Sequence, residues 1–144
     1  MKTFDLANKY IANLFTLNVK LHNLHWNIVG SDFQPVHVKL EELYDMCLDQ
    51  ADEVAELIRM KNLFPVASIS EYTKLTTVKD LDSKEISTKD ALKITLEELE
   101  SLKALALEIR EKANEEDDFL TANMFEDFVT TFVKDIWFLN SMLK

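Results

Sequence analysis

Apolar residues recur at three- and four-residue spacing from the start of the chain. Leu6, Ile11, Leu14, Leu17, Leu21, Leu24 and Ile28 fall on one stripe, which is the period of an amphipathic helix. The pattern predicts a first helix from Phe4 to about Val29. Gly30 is expected to stop it, because glycine alone adopts a left-handed backbone without steric cost. Asp32 is placed to cap the next helix, and Pro35 suits a first turn, where a missing N–H goes unused. This second helix is expected to reach about Asn62, before Phe64-Pro65. Ser68-Ile-Ser-Glu71 has the form of a capping box and predicts one short helix inside the mixed segment 66–82. A third long helix is expected from Ser87 or Thr88, with Asp90 in its first turn. It would turn Leu92, Leu96, Leu99, Leu102, Leu105 and Ile109 inward and end near Arg110 and Lys112. The acidic run Glu115–Asp118 then leads into a last helix carrying Phe125, Phe128, Phe132, Ile136 and Leu143. Met124, Val129, Val133, Trp137 and Phe138 widen that helix's apolar face beyond one bundle core, so contact with other subunits is expected.

Composition sharpens this to all-α. One glycine and two prolines in 144 residues cannot supply the turns that a sheet protein needs every 8–12 residues or so. Four helices of roughly 25 residues with one short helix in the middle connection make a four-helix bundle, read as one domain over residues 1–144. The net charge of −10 argues against general affinity for nucleic acid or anionic membranes and favours attraction of cations. The lone Cys47 excludes an intramolecular disulfide and fits a reducing compartment. The N-terminal stretch has charges throughout and no apolar run of signal or membrane length, so a cytoplasmic protein without a membrane partner is expected.

The candidate chemistry lies on the second helix. His37 and Glu41, and Asp52 and Glu56, are two (i, i+4) pairs, each stacked on one face. Asp52 lies only about 60° around the helix from His37, so the four share a stripe. His25, on the last turn of the first helix, can approach the start of the second. Imidazole with carboxylate is the ligand set for iron, manganese or zinc. Length restricts how these residues combine. His37 and Asp52 are separated by about 22 Å along a helix, whereas metal–ligand bonds are about 2 Å. One chain cannot close both pairs on one centre, but two antiparallel copies across a twofold axis can. If the residues share a metal, the protein is at least a dimer. The histidines, His22, His25 and His37, have no glutamate three residues before them, so a Glu-x-x-His site inside each bundle is not expected. Set against this, a carboxylate stripe on a helix is usually a solvated face, which is the reading for Glu42, Asp45, Asp49 and Glu53. His22 and Trp26 read first as packing residues, and Cys47 as a small buried hydrophobe.

Taken together, His25-Trp26-Asn27-Ile28-Val29-Gly30, Phe33, His37-x-x-x-Glu41 and Asp52-x-x-x-Glu56 resemble the Dps family of ferritin-like mini-ferritins. The resemblance continues through Pro65, Ser68 and Glu71-Tyr72 to Asp118-x-x-Thr121 and Lys134-x-x-Trp137, covering nearly the whole chain. It implies a hollow dodecamer that oxidises Fe(II), preferentially with hydrogen peroxide, and stores ferric iron inside. It implies a di-iron site at each twofold interface, with His25, His37 and Glu41 from one subunit and Asp52 and Glu56 from its neighbour. Glu41 stands where many members have aspartate, one methylene shorter. Trp26 matches a tryptophan beside the site that intercepts oxidising equivalents. Asn123 replaces a frequent acidic residue of the threefold region, which leaves open which of Glu115, Glu116, Asp117 and Asp118 draw iron to a pore. Direct DNA binding is not expected. The start carries only Lys2 and Lys9, and twelve chains at −10 each sum to roughly −120 against phosphate. Three rival readings remain: a zinc or manganese protein on the same scaffold, a helical interaction or adhesion protein, and a DNA-compacting protein.

Overall fold

The computed structural model describes residues 2–144. The elements run α1 (Thr3–Asn27), β1 (Ile28–Val29), α2 (Phe33–Met60), α3 (Ile69–Leu75), β2 (Ile86–Ser87), α4 (Thr88–Glu115) and α5 (Phe119–Leu143). The four long helices form the all-α bundle that the spacing predicts, with α3 as the short helix of the long connection. Packing is heaviest between α1 and α2 and between α4 and α5, while α3 lies against α1. Every apolar residue assigned to the first helix's stripe is buried, as are Leu92, Leu99, Leu102, Leu105 and Ile109 on α4; Leu96 is half-buried. On α5, Phe125, Phe128, Phe132 and Ile136 are buried, and Leu143 is only partly covered. Tyr10 meets Phe125 edge-on at 4.9 Å, and its hydroxyl donates to Gln50 Oε1 at 2.5 Å. That bond answers the one polar atom of an otherwise apolar ring in the core.

The first helix ends at Asn27, two residues earlier than the pattern predicts. Ile28 and Val29 instead pair in parallel with Ile86 and Ser87, an arrangement that suits β-branched side chains. Gly30 therefore does not stop the helix; it makes the turn after the strand, at φ +151°. Two other helix ends are closed without glycine. Asn62 (φ 62°) and Asp117 (φ 58°) are left-handed and complete paired C-terminal bonds. Leu63 N–H donates to Ile58 O at 3.2 Å and Asn62 N–H to Arg59 O at 2.9 Å. After α4, Asp118 N–H donates to Ala113 O at 2.7 Å and Asp117 N–H to Asn114 O at 3.1 Å. This is the Schellman pattern, and asparagine and aspartate tolerate its left-handed residue better than other side chains do. At the N-termini, Ser68 accepts from Glu71 N–H, Ser87 from Asp90 N–H and Asp118 from Thr121 N–H. Asp32 occupies the cap position of α2 but its side chain accepts no bond from that helix; the carboxylate accepts from Thr88 Oγ1 at 2.5 Å and so ties the Gly30 turn to α4.

Candidate metal centre

The Gly30 turn brings the last turn of α1 against the second turn of α2, and this sets His25 on His37. His25 Nδ1 lies 2.7 Å from the His37 carbonyl oxygen, and His37 Nδ1 lies 2.8 Å from that of His25. A carbonyl only accepts, so each ring donates through Nδ1 and keeps its proton there. Each Nε2 is left with a lone pair, the atom through which a neutral imidazole binds a metal. The His25 carbonyl belongs to the last turn of α1, where helical partners run out, so the reciprocal bond also satisfies a helix end. The two rings stack at 3.6 Å and 12°. His25 is buried and His37 half-buried, and Glu41 is exposed with Oε1 3.8 Å from His25 Nε2. The stacked imidazoles thus lie where α1 meets α2, with the Glu41 carboxylate beside the His25 ring.

Asp52 and Glu56 are not brought to this cluster. They project, exposed, from the far half of α2, and neither forms an ion pair among the described residues. Among the described residues, no three His, Cys, Asp or Glu side chains of one chain form a group able to hold an ion. The candidate donors are of the kind that suit a first-row divalent ion, and they are divided between the α1–α2 junction and the far half of α2. Cys47 is fully buried, and burial pushes its thiol far above the usual range.

Two aromatic neighbours were not assigned to the site from sequence. Tyr44 is seven residues beyond His37, about 20° around the helix from it, so the helical angle was the available signal. Its ring meets His25 edge-on at 5.2 Å and stacks on His22 at 3.7 Å. Loss of solvent and then the nearby Glu41 and Asp45 carboxylates raise the Tyr44 phenol above its ordinary pKa. His22, read first as a packing residue, bonds through Nδ1 to Asn18 O at 2.8 Å and lies 5.3 Å from Trp26. Trp26 itself is 69% exposed.

The profile of the ferritin-like domain family matches residues 4–144. The chain is 35% identical over 143 residues to the DNA protection during starvation protein of Helicobacter pylori, covering 99% of each. Among solved structures, antigen TpF1 of Treponema pallidum superposes with a TM-score of 0.95 at 32% identity, covering 99% of this chain and 91% of that one. A Dps protein from Bacillus brevis gives 0.93 at 30%, with 99% and 95% covered. The Vibrio cholerae Dps, described as a member of a broad superfamily of ferritin-like diiron-carboxylate proteins, gives 0.92 at 28%, with 99% and 89% covered. A bundle of this topology, matched along its length by both sequence and structure, means that the chain belongs to the Dps family of ferritin-like proteins, a family of iron storage and protection.

Proposed function

We propose that the protein is a ferroxidase and iron store that oxidises Fe(II) with hydrogen peroxide and retains the ferric product in a dodecameric shell. The observation that carries this is the reciprocal His25–His37 pair. It occupies both Nδ1 atoms and leaves both Nε2 atoms for a metal, with Glu41 beside His25, while the carboxylates that would complete the coordination lie about 22 Å along the same helix. Antiparallel pairing of two α2 helices places Asp52 and Glu56 of one subunit against the histidines of the other and forms two equivalent sites. Leu48, 42% exposed, lies on the stripe between Glu41 and Asp52, close to where an apolar contact at the axis would be needed. Fe(II) is the substrate here. The histidines bind it as neutral donors, and the carboxylates offset its charge and the further charge that develops on oxidation. Two irons at one site each give one electron to peroxide, so both oxygens leave as water rather than as hydroxyl radical. Protection of DNA then follows from removal of iron and peroxide, without phosphate contact.

Anaerobic loading with Fe(II) followed by peroxide tests this reading. Rapid ferric formation is expected, with oxygen as the slower oxidant. His37→Ala and Asp52→Ala should each slow it by more than about tenfold, the effect that even outer-sphere losses have at metal sites. Assemblies mixed from the two variants regain intact sites if the site is shared between chains. No recovery on mixing would rule out a shared site, and no ferric formation would rule out the ferroxidase.

A further inference from the structure

The connection between α2 and α4 is tied to the bundle by side-chain amides of α1. Val66 N–H donates to Asn8 Oδ1 at 3.0 Å, Thr77 N–H to Asn13 Oδ1 at 2.8 Å, and Asn23 Nδ2 to Leu81 O at 3.1 Å. Asn13 holds the segment at two further points. Its Oδ1 also accepts from Thr76 Oγ1 at 2.9 Å, and its Nδ2 donates to Thr77 Oγ1 at 3.2 Å. Asn8 and Asn13 are buried, so solvent does not stand ready to replace a lost partner. Apolar attachment is thin by comparison. No residue of α3 is buried, Tyr72 stacks on Phe15 at 4.6 Å, and Val66, Val78 and Leu81 are only partly buried against the core. A segment with few buried apolar contacts opens at less cost than the helices beneath it. Its inner edge also borders the face used in the pairing proposed above: Leu48 and Asp52 on α2 line one groove of about 250 Å³ with Pro65, Val66 and Tyr72.

We propose that residues 63–82 form a strap that opens from the bundle as one unit, with Asn13 as its latch, and that the closed strap completes the groove on which a second copy of this chain docks. The docking part rests on the shared-site reading above; the latch does not. Opening frees two donors and one acceptor of the strap in a single step, because all three share the Asn13 amide. It also removes one wall of the groove beside Leu48 and Asp52. A second chain seated along that stripe therefore binds the closed form and not the open one, and docking holds the strap shut.

Amide hydrogen exchange of the metal-free full chain, read by mass spectrometry, tests both parts. It is measured above and below the protein concentration at which sedimentation shows the chains to separate. Leu48→Asp, which sets a charge at the proposed axis, separates chains that dilution does not. In single chains, residues 64–82 should exchange faster than the four long helices. Asn13→Ala should speed them by a further tenfold or so, the scale of a buried donor left without a partner. Asn13→Asp, which keeps the accepting oxygen, should recover most of that protection. Thr73→Val, which removes a hydroxyl bonded to Ile69 O within α3, should leave residues 76–82 unchanged. A strap that exchanges at the rate of the long helices, or an Asn13→Ala effect spread equally over all four of them, overturns the latch. In assembled protein the same amides should slow by about tenfold or more. Equal exchange in assembled and separated chains removes the strap from the docking face. Unaltered protein that never assembles fails the shared-site reading instead, and the single-chain exchange still decides the latch.

Discussion

Gly30 couples backbone geometry to the site. At φ +151°, a Cβ on this residue would lie 2.9 Å from Thr88 Oγ1 and 3.1 Å from Asp32 Oδ1. Those two side chains bond to each other, so neither can withdraw without breaking the tie between the turn and α4. Gly30→Ala should therefore lose about 1–3 kcal/mol, the range for a residue forced into a sparsely populated backbone region. Urea unfolding measures the loss, and an unchanged midpoint would contradict it. Because the same turn sets α1 on α2, the variant should also loosen the His25–His37 pair. The identities of His25, His37 and Glu41 as a cluster were legible from sequence, since one end of each helix had to meet across a short turn. The reciprocal Nδ1–carbonyl bonds were not. They depend on an angle between two helices to within a few tenths of an ångström, and no residue spacing encodes that.

At the scale of elements, the helix ends account for how a chain with one glycine makes sharp turns. Asn62 and Asp117 take the left-handed position, and serine or aspartate caps open the following helices. Asp118 connects three elements, since its N–H donates to Ala113 O of α4 and its carboxylate caps α5 and accepts from Lys61 just after α2. Partial burial pushes its carboxyl upward, but hydrogen bonds from Lys61 and Thr121 and the Lys61 charge outweigh this and hold it below the ordinary value. A depressed carboxyl adds stability that is fully present above the ordinary carboxylate pKa and is lost as pH falls through the folded-state value. Asp118→Ala should cost about 1 kcal/mol at neutral pH through loss of the cap. Asp118→Asn, which keeps a capping oxygen, should lose less. Its deficit relative to the unaltered protein should shrink as the solution is acidified. A deficit that is constant with pH in thermal unfolding would refute the ionic contribution. The Ser68 capping box was readable in advance from its local chemistry, whereas Asp32, expected to cap α2, bonds Thr88 instead, and the left-handed ends at Asn62 and Asp117 had no such signal. The two-residue parallel strand pair was not readable either, because it joins segments almost sixty residues apart and ends α1 by competition with its final turn.

For the whole molecule, the unburied apolar surface is the informative quantity. Val133, Trp137 and Phe138 on α5 are 54%, 65% and 39% exposed, and Phe64 and Ile69 in the connection are 76% and 83% exposed. Association between chains is the proposed destination of this surface. A buried tryptophan at an interface commonly contributes 2 kcal/mol or more. Trp137→Glu is accordingly expected to shift sedimentation from the proposed shell of about twelve chains to smaller species at micromolar protein. Retention of the full shell would remove Trp137 from the contacts.

The sequence by itself determined the helical period, the Ser68 capping box, the count of long helices and the candidate metal ligands. Each of these depends on interactions within a few turns of chain. Tertiary structure decided where α1 ends, which tautomer each histidine holds, and that Tyr44 and His22 bridge the pair to Trp26. Those are contacts between segments, fixed only when the helices pack. The division of the five candidate ligands lies between the two. Rise per residue along one helix already kept His37 and Glu41 apart from Asp52 and Glu56. The fold added that His25 and His37 each donate through Nδ1 to the other's carbonyl and that His25 Nε2 lies 3.8 Å from Glu41 Oε1, the arrangement from which the shared site is proposed.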